Sequence, residues 1–383
     1  MSARPPVLTG TGVAVLAGGV AVLAAGLAGG YPPLAGLGAA APALVVVAVL
    51  MMCVPDRLTA GRTVSGDRVA VGTSVTCVIS MRNEGRPPLG WVEATDRVGA
   101  ERVRAVITPP ARGGTAATEY AVPTHRRGLL THGPLQLERR DPLGLAVRRR
   151  TAVAASALWV HPRIHPLRAL PLGTRPEVEG QSGGHTPHGT STFEGLREYQ
   201  PGDDPRLIHW RSAARTGTLL VQERVDASEP AVTVVLDTRA EVLDEDAFEE
   251  AVEVAASVVA AHARVSLAVA GEDAAELARM GARSPLDRLA AARRGEGLGV
   301  AAVHAPVRRV ASGGQLVLVT GTDPAVVARF AAEAARFSLL LIVRLDPAAA
   351  APGVVRRGAV TMVSAAGAGD AVQAVSRLGG GRG

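Results

Sequence analysis

The stretch that decides the fold of this chain is Phe-Glu-Gly-Leu-Arg-Glu-Tyr-Gln-Pro-Gly-Asp-Asp-Pro-Arg-Leu-Ile-His-Trp-Arg-Ser-Ala-Ala-Arg-Thr, residues 193–216. It concentrates charged and aromatic side chains in a chain that is otherwise rich in Ala, Val and Gly. Pro201-Gly202 predicts a tight turn, and Asp204-Pro205 places an N-cap carboxylate before a first-turn proline. We therefore expect a short helix to begin at Pro205 and to end near Arg215.

Most side chains of this predicted helix have a plain structural role. The apolar residues recur at three- and four-residue spacing and share one face; they are Leu207, Trp210, Ala213 and Ala214. We expect Trp210 to pack in the core, Asp204 to cap the helix, and Arg206 to pair with Glu198. Asp203 and His209 are left without such a role.

The runs Leu-Arg-Glu-Tyr, Pro-Gly-Asp-Asp-Pro-Arg, Ile-His-Trp and Ser-Ala-Ala-Arg resemble, without a gap, the signature of the domain of unknown function 58 (DUF58) family. Arg127-Gly128, Asp141-Pro142-Leu143-Gly144-Leu145 and a strand that ends in Asp237 extend the resemblance over roughly residues 55–345. It implies a membrane-anchored protein with a von Willebrand factor A-like domain after the signature. Such proteins are often associated with MoxR-type AAA ATPases, and the family name defines no biochemical activity.

The signature segment, residues 192–224, is the predicted interaction surface, and no catalytic residue is assigned. Its charged, aromatic and turn residues are Arg197, Glu198, Tyr199, Gly202, Asp203, Asp204, Arg206, His209, Trp210, Arg211 and Arg215. The alternative is an enzyme of unknown substrate in which Asp203 and His209 act as acid and base. Arginines of the same segment would then hold an anion. We favour the interaction role because capping, pairing and packing explain most of these residues.

Residues 1–57 predict a transmembrane helical hairpin. Residues 7–28 and 34–54 contain no charged side chain, and each is close to the roughly 20 residues that cross a bilayer core. Arginines flank both open ends, at Arg4 and from Arg57 onward, which predicts a cell-membrane protein whose soluble domains face the cytoplasm. The alternative is a cleaved secretory signal peptide with Arg4 in its positively charged amino-terminal region. The apolar run is longer than the apolar region of such signal peptides, which argues against this alternative.

Composition excludes several chemistries. All 41 basic residues of the 383-residue chain are arginine, and the formal net charge is +6. A chain without lysine has no phosphate-binding Gly-x-x-x-x-Gly-Lys motif, and Gly-x-Ser-x-Gly is also absent. Cys53 and Cys77 form no disulfide framework.

Ten aromatic residues are few for stacking on bases, so nucleic acid is not an expected partner. The arginine excess would favour docking to anionic lipid; a solvated charge excess without a partner is the equal alternative.

Two soluble domains follow the hairpin. Residues 58–171 alternate with period two, as at Val75, Cys77, Ile79 and Met81, and predict a β-sandwich. Residues 172–191 are Gly-, Ser- and Pro-rich and predict a flexible loop.

Residues 225–347 alternate between apolar strands and helices and predict a doubly wound, von Willebrand A-like α/β domain. The predicted strands and helices are 231–236, 246–263, 265–269, 285–293, 315–319, 324–337 and 339–345. Residues 348–383 are predicted to be partly disordered, with a strand at 359–363 and a helix at 370–378.

A metal site is not expected. The resemblance implies Mg²⁺ binding through an Asp-x-Ser-x-Ser loop, but here that loop is Asp237-Thr238-Arg239-Ala240-Glu241, with arginine and glutamate in place of both serines. We expect Asp237 to pair with Arg239 or to cap a loop, although Glu241, Thr320 and Asp323 could still supply oxygen ligands. The set His161, His165, His185 and His188 lacks an accompanying cysteine and is interpreted as loop histidines.

Overall fold

The computed structural model describes residues 5–54, 57–85, 91–168, 170, 192–198, 210, 217–225, 232–310 and 313–379. The chain divides into two compact units. The β unit comprises Met1–Arg163 with Glu276–Ala291, and the α/β unit comprises Ile164–Ala275 with Ala292–Gly383.

The β unit begins with two antiparallel apolar helices, α1 (Gly10–Ala28) and α2 (Pro32–Cys53). Both are long and apolar enough to cross a membrane, and only 17% of each apolar window is buried. They pack closely because small residues meet at their interface. A Cβ atom on Gly26 would lie 2.4 Å from the backbone nitrogen of Ala35, so no larger residue fits there without movement.

The first helix begins later than the sequence predicts. Val7–Leu8 form a short strand, β1, that pairs with Val147 and Ala146 of the β unit. The hydroxyl of Thr9 accepts a hydrogen bond from the backbone N–H of Gly12, which fixes the helix start at Gly10. The helix therefore begins three residues after the predicted start of the apolar span at about residue 7.

Two antiparallel sheets make up most of the β unit. The strands are β2 (Leu58–Val64), β3 (Arg68–Ala70), β4 (Val75–Asn83), β5 (Trp91–Val98), β6 (Glu101–Ile107), β7 (Thr115–Val122), β8 (Gly128–His132), β9 (Leu135–Arg140), β10 (Ala146–Val153) and β11 (Ser156–His161). The larger sheet has the order β1-β10-β9-β5-β8-β11-β3 with β6 beside β5, and the smaller has the order β2-β4-β7. β3 is the exception to the antiparallel pattern, since it pairs in parallel with β11.

The two sheets share one core. Ile79 and Met81 of the smaller sheet pack with Ala94 and Leu137 of the larger sheet. The predicted inward-facing positions of β4 are all buried, which confirms the period-two pattern. The helix Pro285–Ala291 also belongs to this unit, although its sequence position predicted it in the α/β domain. Its Asp287 is held by side chains of β3 and β11, which explains the difference.

The α/β unit is built on a six-stranded sheet. Its strands are β14 (Val232–Leu236), β15 (Val265–Val269), β16 (Gln315–Thr320), β17 (Leu339–Leu345), β18 (Gly353–Arg357) and β19 (Val360–Ala365), in the order β15-β14-β16-β17-β19-β18. All neighbours are parallel except β18 and β19. The helices of the region are α3 (Glu245–Ala261), α4 (Ala274–Met280, of which Glu276–Met280 lie in the β unit), α5 (Pro285–Ala291, in the β unit), α6 (Val300–His304), α7 (Pro324–Ala331) and α8 (Ala368–Gly379). Every residue of β14 and β16 is buried, as expected of central parallel strands.

The boundary predicted at residue 347 falls inside this sheet. β18 and β19 continue the sheet beyond β17, and α8 buries Ala371 and Val372 against it. The strand predicted at 359–363 and the helix predicted at 370–378 are observed as β19 and α8. The helix predicted over 324–337 ends at Ala331 and is followed by the 3₁₀ turn Ala334–Arg336. Residues 380–383 lie outside the described residues.

Candidate functional site

The acidic cluster that the sequence predicts lies at the carboxyl edge of the parallel sheet. Asp237 follows β14, Thr320 ends β16, and Asp323 caps the start of α7 by accepting a hydrogen bond from the N–H of Ala325. β14 and β16 are hydrogen-bonded neighbours, so their ends meet at the same edge. Ligands of open α/β sheets bind at this edge, which makes the cluster the first candidate site.

Arg239 occupies the centre of this cluster. Its Nη2 lies 2.8 Å from Oδ2 of Asp237, and its Nε lies 3.0 Å from Oδ1. The backbone N–H of Arg239 also donates to Oδ1 of Asp237, and the hydroxyl of Thr320 donates to Oδ2 at 2.7 Å. Asp237 is fully buried. Its two carboxylate oxygens are therefore satisfied by protein donors, as the prediction of a pair with Arg239 requires.

Arg239 bridges a second carboxylate. Its Nη1 lies 2.8 Å from Oδ2 of Asp323. Burial acts to raise the pKa of Asp323, but the hydrogen bonds from Arg239 and from the N–H of Ala325 outweigh it, and the pKa is lowered. The pKa of Arg239 is raised by its hydrogen bond to Asp237, against the effect of burial. Two carboxylates thus share one guanidinium.

The two other loop residues turn away from Asp237. The hydroxyl of Thr238 donates to the carbonyl of Ala270 at 2.8 Å, and the carboxylate of Glu241 accepts from the N–H of Gly297 at 2.9 Å. That backbone hydrogen bond lowers the pKa of Glu241. The donor set does not fit a divalent cation, because the guanidinium of Arg239 already lies between the oxygens that Mg²⁺ would need.

A second cluster, which sequence reasoning missed, lies between the sheets of the β unit. Asp96 is fully buried and accepts hydrogen bonds from Tyr120 (2.9 Å), from Arg62 (3.2 Å) and from the N–H of Arg97. Nε2 of His132 lies 3.3 Å from Oδ2 of Asp96 and is also in contact with the hydroxyl of Tyr120.

The pKa values of this second cluster follow from its burial. Burial acts to raise the pKa of Asp96, but hydrogen bonds from His132 and Tyr120 and the charge of Arg62 outweigh it, so the pKa is lowered. Burial raises the pKa of Tyr120 and of Cys77. Cys77, Asp96 and His132 offer ligand atoms within 4.8 Å of one another. The guanidinium of Arg62 lies on the same carboxylate and disfavours a cation there.

A third buried carboxylate, Asp287, fixes α5. It accepts hydrogen bonds from Arg68 (3.0 and 3.1 Å), from Nε2 of His161 (2.8 Å) and from the N–H groups of Arg283 and Ser284. The N–H of Asp287 donates in return to the hydroxyl of Ser284. Ser284-x-x-Asp287 is therefore a reciprocal capping pair, a signal that the sequence contains. Burial opposes ionisation of Asp287, but these donors outweigh it and lower its pKa strongly.

The signature segment is described only at its ends. Arg197 and Glu198 end the strand β12 (Thr192–Glu198), which pairs with β13 (Leu220–Val225). The ribbon therefore brings the two ends of the signature together. Trp210 is helical and 65% exposed, so the prediction that it packs in the core is wrong. The other signature residues lie outside the described residues, and they are Tyr199, Gly202, Asp203, Asp204, Arg206, His209, Arg211 and Arg215.

The predicted histidine set does not assemble as one group. His161 contacts Asp287, whereas His165 contacts Oε2 of Glu253 at 2.7 Å. His185 and His188 lie outside the described residues. The two described histidines thus serve separate carboxylates.

The turn Asp141–Leu145 seats the apolar helices on the β unit. The buried carboxylate of Asp141 accepts from the N–H groups of Leu143 and Ala146. Leu145 packs in a cluster with Val45, Ala48 and Met52 of α2. This is the turn that the sequence singled out upstream of the signature.

Two arginine side chains donate hydrogen bonds to backbone carbonyl oxygens at the end of α2. Nη1 of Arg139 lies 3.1 Å from the carbonyl oxygen of Val54, and Nη1 of Arg148 lies 3.3 Å from that of Met52. Unpaired carbonyls and the negative end of the helix dipole favour cations at this position. The carboxyl end of the hairpin is therefore fixed to β9 and β10 of the larger sheet, and its amino end is fixed there by the pairing of β1 with β10.

Comparison with known proteins gives a family match over part of the chain. Residues 195–287 match the sequence model of a family described as "Protein of unknown function DUF58". The uncharacterized protein YeaD of Bacillus subtilis (strain 168) is 28% identical over 171 residues, which cover 44% of this chain and 41% of YeaD. The chain thus spans less than half the length of that relative.

Among solved structures, the CARDB domain of a Pyrococcus furiosus protein is 11% identical and covers 27% of this chain and 93% of that chain, with a TM-score of 0.18. Cwp6 from Clostridium difficile is 7% identical and covers 75% of this chain and 49% of that chain, with a TM-score of 0.19. At these TM-scores the likeness carries no argument. The DUF58 match covers residues 195–224 of the signature segment, the Asp237–Arg239 loop and the capping residue Asp287.

Proposed function

We propose that this chain is a membrane-anchored scaffold that presents the signature segment to a protein partner and carries out no chemistry of its own. The observation that carries the proposal is that protein donors already occupy the carboxylate oxygens of Asp237. At the edge where an α/β domain binds a ligand or metal, both oxygens of Asp237 are held by Arg239 and Thr320. An internal guanidinium takes the role that a metal has in the resembling domains, and Mg²⁺ is not required.

The apolar hairpin supports the anchoring part of this proposal. Its helices leave most of their apolar surface exposed, which is unfavourable in water and favourable in lipid. Its open end at the last turn of α2 contacts Arg139 and Arg148, and positive charge at helix ends is typical of the cytoplasmic side. We therefore propose that the soluble units face the cytoplasm.

Cysteine labelling tests the orientation. Cys53 is exposed at the end of α2 and Cys77 is buried. A membrane-impermeant maleimide should label Cys53 only after the cells are permeabilised, and a Cys53→Ser variant serves as the control. Labelling of Cys53 in intact cells would contradict the cytoplasmic orientation.

The partner that we propose is a MoxR-type AAA ATPase, acting with this scaffold in the assembly or remodelling of an envelope complex. Support comes from the DUF58 signature resemblance and from the signature's dense charge, which suits a protein interface. Each MoxR-type ATPase of the source organism should be expressed singly and captured with the full-length protein in detergent. The double change Arg206→Glu and Arg211→Glu is expected to weaken capture at least ten-fold.

The matched control reverses the same number of charges elsewhere. Arg356 and Arg357 are exposed on the edge strand β18, so Arg356→Glu with Arg357→Glu should leave capture unchanged. Equal loss in both double variants would show a nonspecific charge effect. Absence of any captured ATPase with the unaltered protein would remove this partner from the proposal.

A further inference from the structure

The outer face of the larger sheet carries a basic groove. The groove has a volume of about 400 Å³ and is lined by Glu93, Thr95, Arg97, Arg102, Arg104, Pro134, Gln136, Glu138, Arg140 and Arg149. Its five arginines and two glutamates leave an excess of three positive charges. The sequence argument against nucleic acid rested on the small number of aromatic residues, and it left docking to anionic lipid open. Strand pairing creates this basic groove from residues that are scattered along the chain.

One end of this groove carries a connected set of ion pairs. Glu138 lies opposite Arg149 in the strand register, and Oε2 of Glu138 lies 2.6 Å from Nε of Arg149. Oε1 of the same carboxylate contacts Arg140. Burial opposes ionisation of Glu138, but the hydrogen bond from Arg149 and the charge of Arg140 lower its pKa. One carboxylate therefore positions two guanidinium groups and leaves one positive charge uncompensated.

A second cavity continues from these two arginines to the start of α1. It has a volume of about 360 Å³ and is lined by Pro5, Val7, Leu8, Thr9, Gly10, Arg140, Val147 and Arg149. Because Gly10 is the first residue of α1, the cavity lies beside the positive end of the helix dipole. Positive charge from three sources, two side chains and one helix terminus, converges on this cavity.

The surroundings of the cavity fit the surface of a bilayer. Trp91 lies opposite Arg140 in the strand register and is 39% exposed, and Leu143 in the adjoining turn is also exposed. Tryptophan is enriched where membrane meets water. In the proposed anchored state, α1 enters the lipid directly from this cavity, so the anion within reach is a lipid phosphate.

We propose that the cavity between Arg140, Arg149 and the first turn of α1 binds the phosphate of an anionic phospholipid. Arginine suits this ligand because its planar fork donates two hydrogen bonds to phosphate oxygens. The ion pairs with Glu138 hold both guanidinium groups in place before the lipid binds. The inference rests on the proposed membrane anchoring and adds a specific lipid to it.

Lipid titration of the full-length protein in detergent micelles tests the site. Dioctanoyl phosphatidylglycerol and dioctanoyl phosphatidylcholine are added separately, and bound lipid is counted by native mass spectrometry. The unaltered protein should bind the anionic lipid at least ten-fold more tightly. Arg140→Gln with Arg149→Gln should reduce this preference at least five-fold. If that double variant does not fold, Arg149→Gln alone, at a partly exposed side chain, should reduce the preference at least two-fold.

The same groove supplies the matched control. Arg97 and Arg102 lie opposite each other in the groove, and the six residue steps from Trp91 to Arg97 place them about 20 Å further along the strand. Arg97→Gln with Arg102→Gln should leave the lipid preference within two-fold. Equal loss in the two double variants would overturn the site in favour of a general polyanion surface.

Two further measurements complete the test. One compares the lipid with other anionic ligands, and the other tests the membrane anchoring separately. Glycerol phosphate or a single-stranded oligonucleotide that binds as tightly as the lipid would overturn the lipid assignment. Absence of any preference for phosphatidylglycerol would overturn the site. Extraction of the protein from membranes by alkaline carbonate would instead overturn the anchoring, because the micelle titration reports the lipid preference independently.

Discussion

Asp96 and Asp237 are both fully buried carboxylates that pair with an arginine, one in each unit, yet their other partners differ. The carboxylate of Asp237 pairs with Arg239, two residues away, and accepts a hydrogen bond from one hydroxyl of the neighbouring strand. Asp96 takes Arg62 and Tyr120 from the opposite sheet, together with His132 of its own sheet. The first arrangement fixes a loop, and the second ties two sheets together.

This difference predicts where each network is fragile. A buried ion pair adds little net stability, but removal of one partner leaves an uncompensated charge. The Asp237 network depends on one guanidinium, whereas the Asp96 network divides the same task among several donors. Among single substitutions in these two networks, removal of Arg239 should therefore lower the free energy of unfolding most.

Arg239→Met tests that expectation most directly. Asp237 would stay buried without its cation, and Asp323 would lose the same partner, so we expect the free energy of unfolding to fall by about 3–5 kcal/mol. Urea unfolding of the full-length protein in detergent measures the loss. Asp237→Asn added to Arg239→Met should recover most of it, since no charge is then left buried at that position. A loss below about 1 kcal/mol would contradict the closed-cluster interpretation.

Tyr120→Phe probes the distributed network of the β unit. The change removes a donor to Asp96 and a contact of His132 Nε2, while Arg62 stays on the carboxylate. We expect a loss of about 2–3 kcal/mol, because a hydrogen bond to a charged group is lost and a buried nitrogen loses its contact. The same urea titration measures it. A loss as large as that of Arg239→Met would show that the two networks are equally fragile.

Acid titration compares the networks through protonation. The pKa of Asp96 is lowered in the folded protein, relative to about 3.9 for an aspartate in an unfolded chain. The ionised carboxylate therefore contributes stability above about pH 4, and this contribution is lost as the pH falls through the folded pKa. Asp96→Asn should flatten the acid limb of the stability profile by up to about 1.4 kcal/mol per pH unit.

The acid experiment has an internal control. Glu101→Gln changes an exposed carboxylate of the same unit and should leave the slope as it is. If Asp96→Asn leaves the acid slope unchanged, the carboxylate does not stabilise the folded state through its charge.

The contrast between the networks also explains what the sequence can predict. Asp237 and Arg239 are close in the chain, and the end of an apolar strand marks their position, so their pairing was predictable. Asp96 lies in an ordinary strand, and its partner Arg62 is 34 residues away. Only the register of two sheets brings them together, and no local pattern encodes that register.

The same limit applies to the fold. Strand β4 and the central strands of the α/β unit have strong period-two or continuous apolar patterns, and the structure confirms them. The exposed edge strand β18 has no such pattern and was missed. The transfer of α5 to the β unit was also missed, because it depends on long-range hydrogen bonds to Asp287.

The smallest predicted effect belongs to Thr320→Val, which removes a single hydroxyl from Asp237. The guanidinium of Arg239 remains on both carboxylate oxygens, and valine fills nearly the same volume, so we expect a loss of about 1–2 kcal/mol. Comparison with Tyr120→Phe under identical conditions makes the test sharp, since each variant deletes one hydroxyl that donates to a buried aspartate. A loss for Thr320→Val that exceeds the loss for Arg239→Met would mean that the hydroxyl, and not the arginine, stabilises the charge of Asp237. The role assigned to Arg239 as the internal cation of the α/β unit would then be wrong.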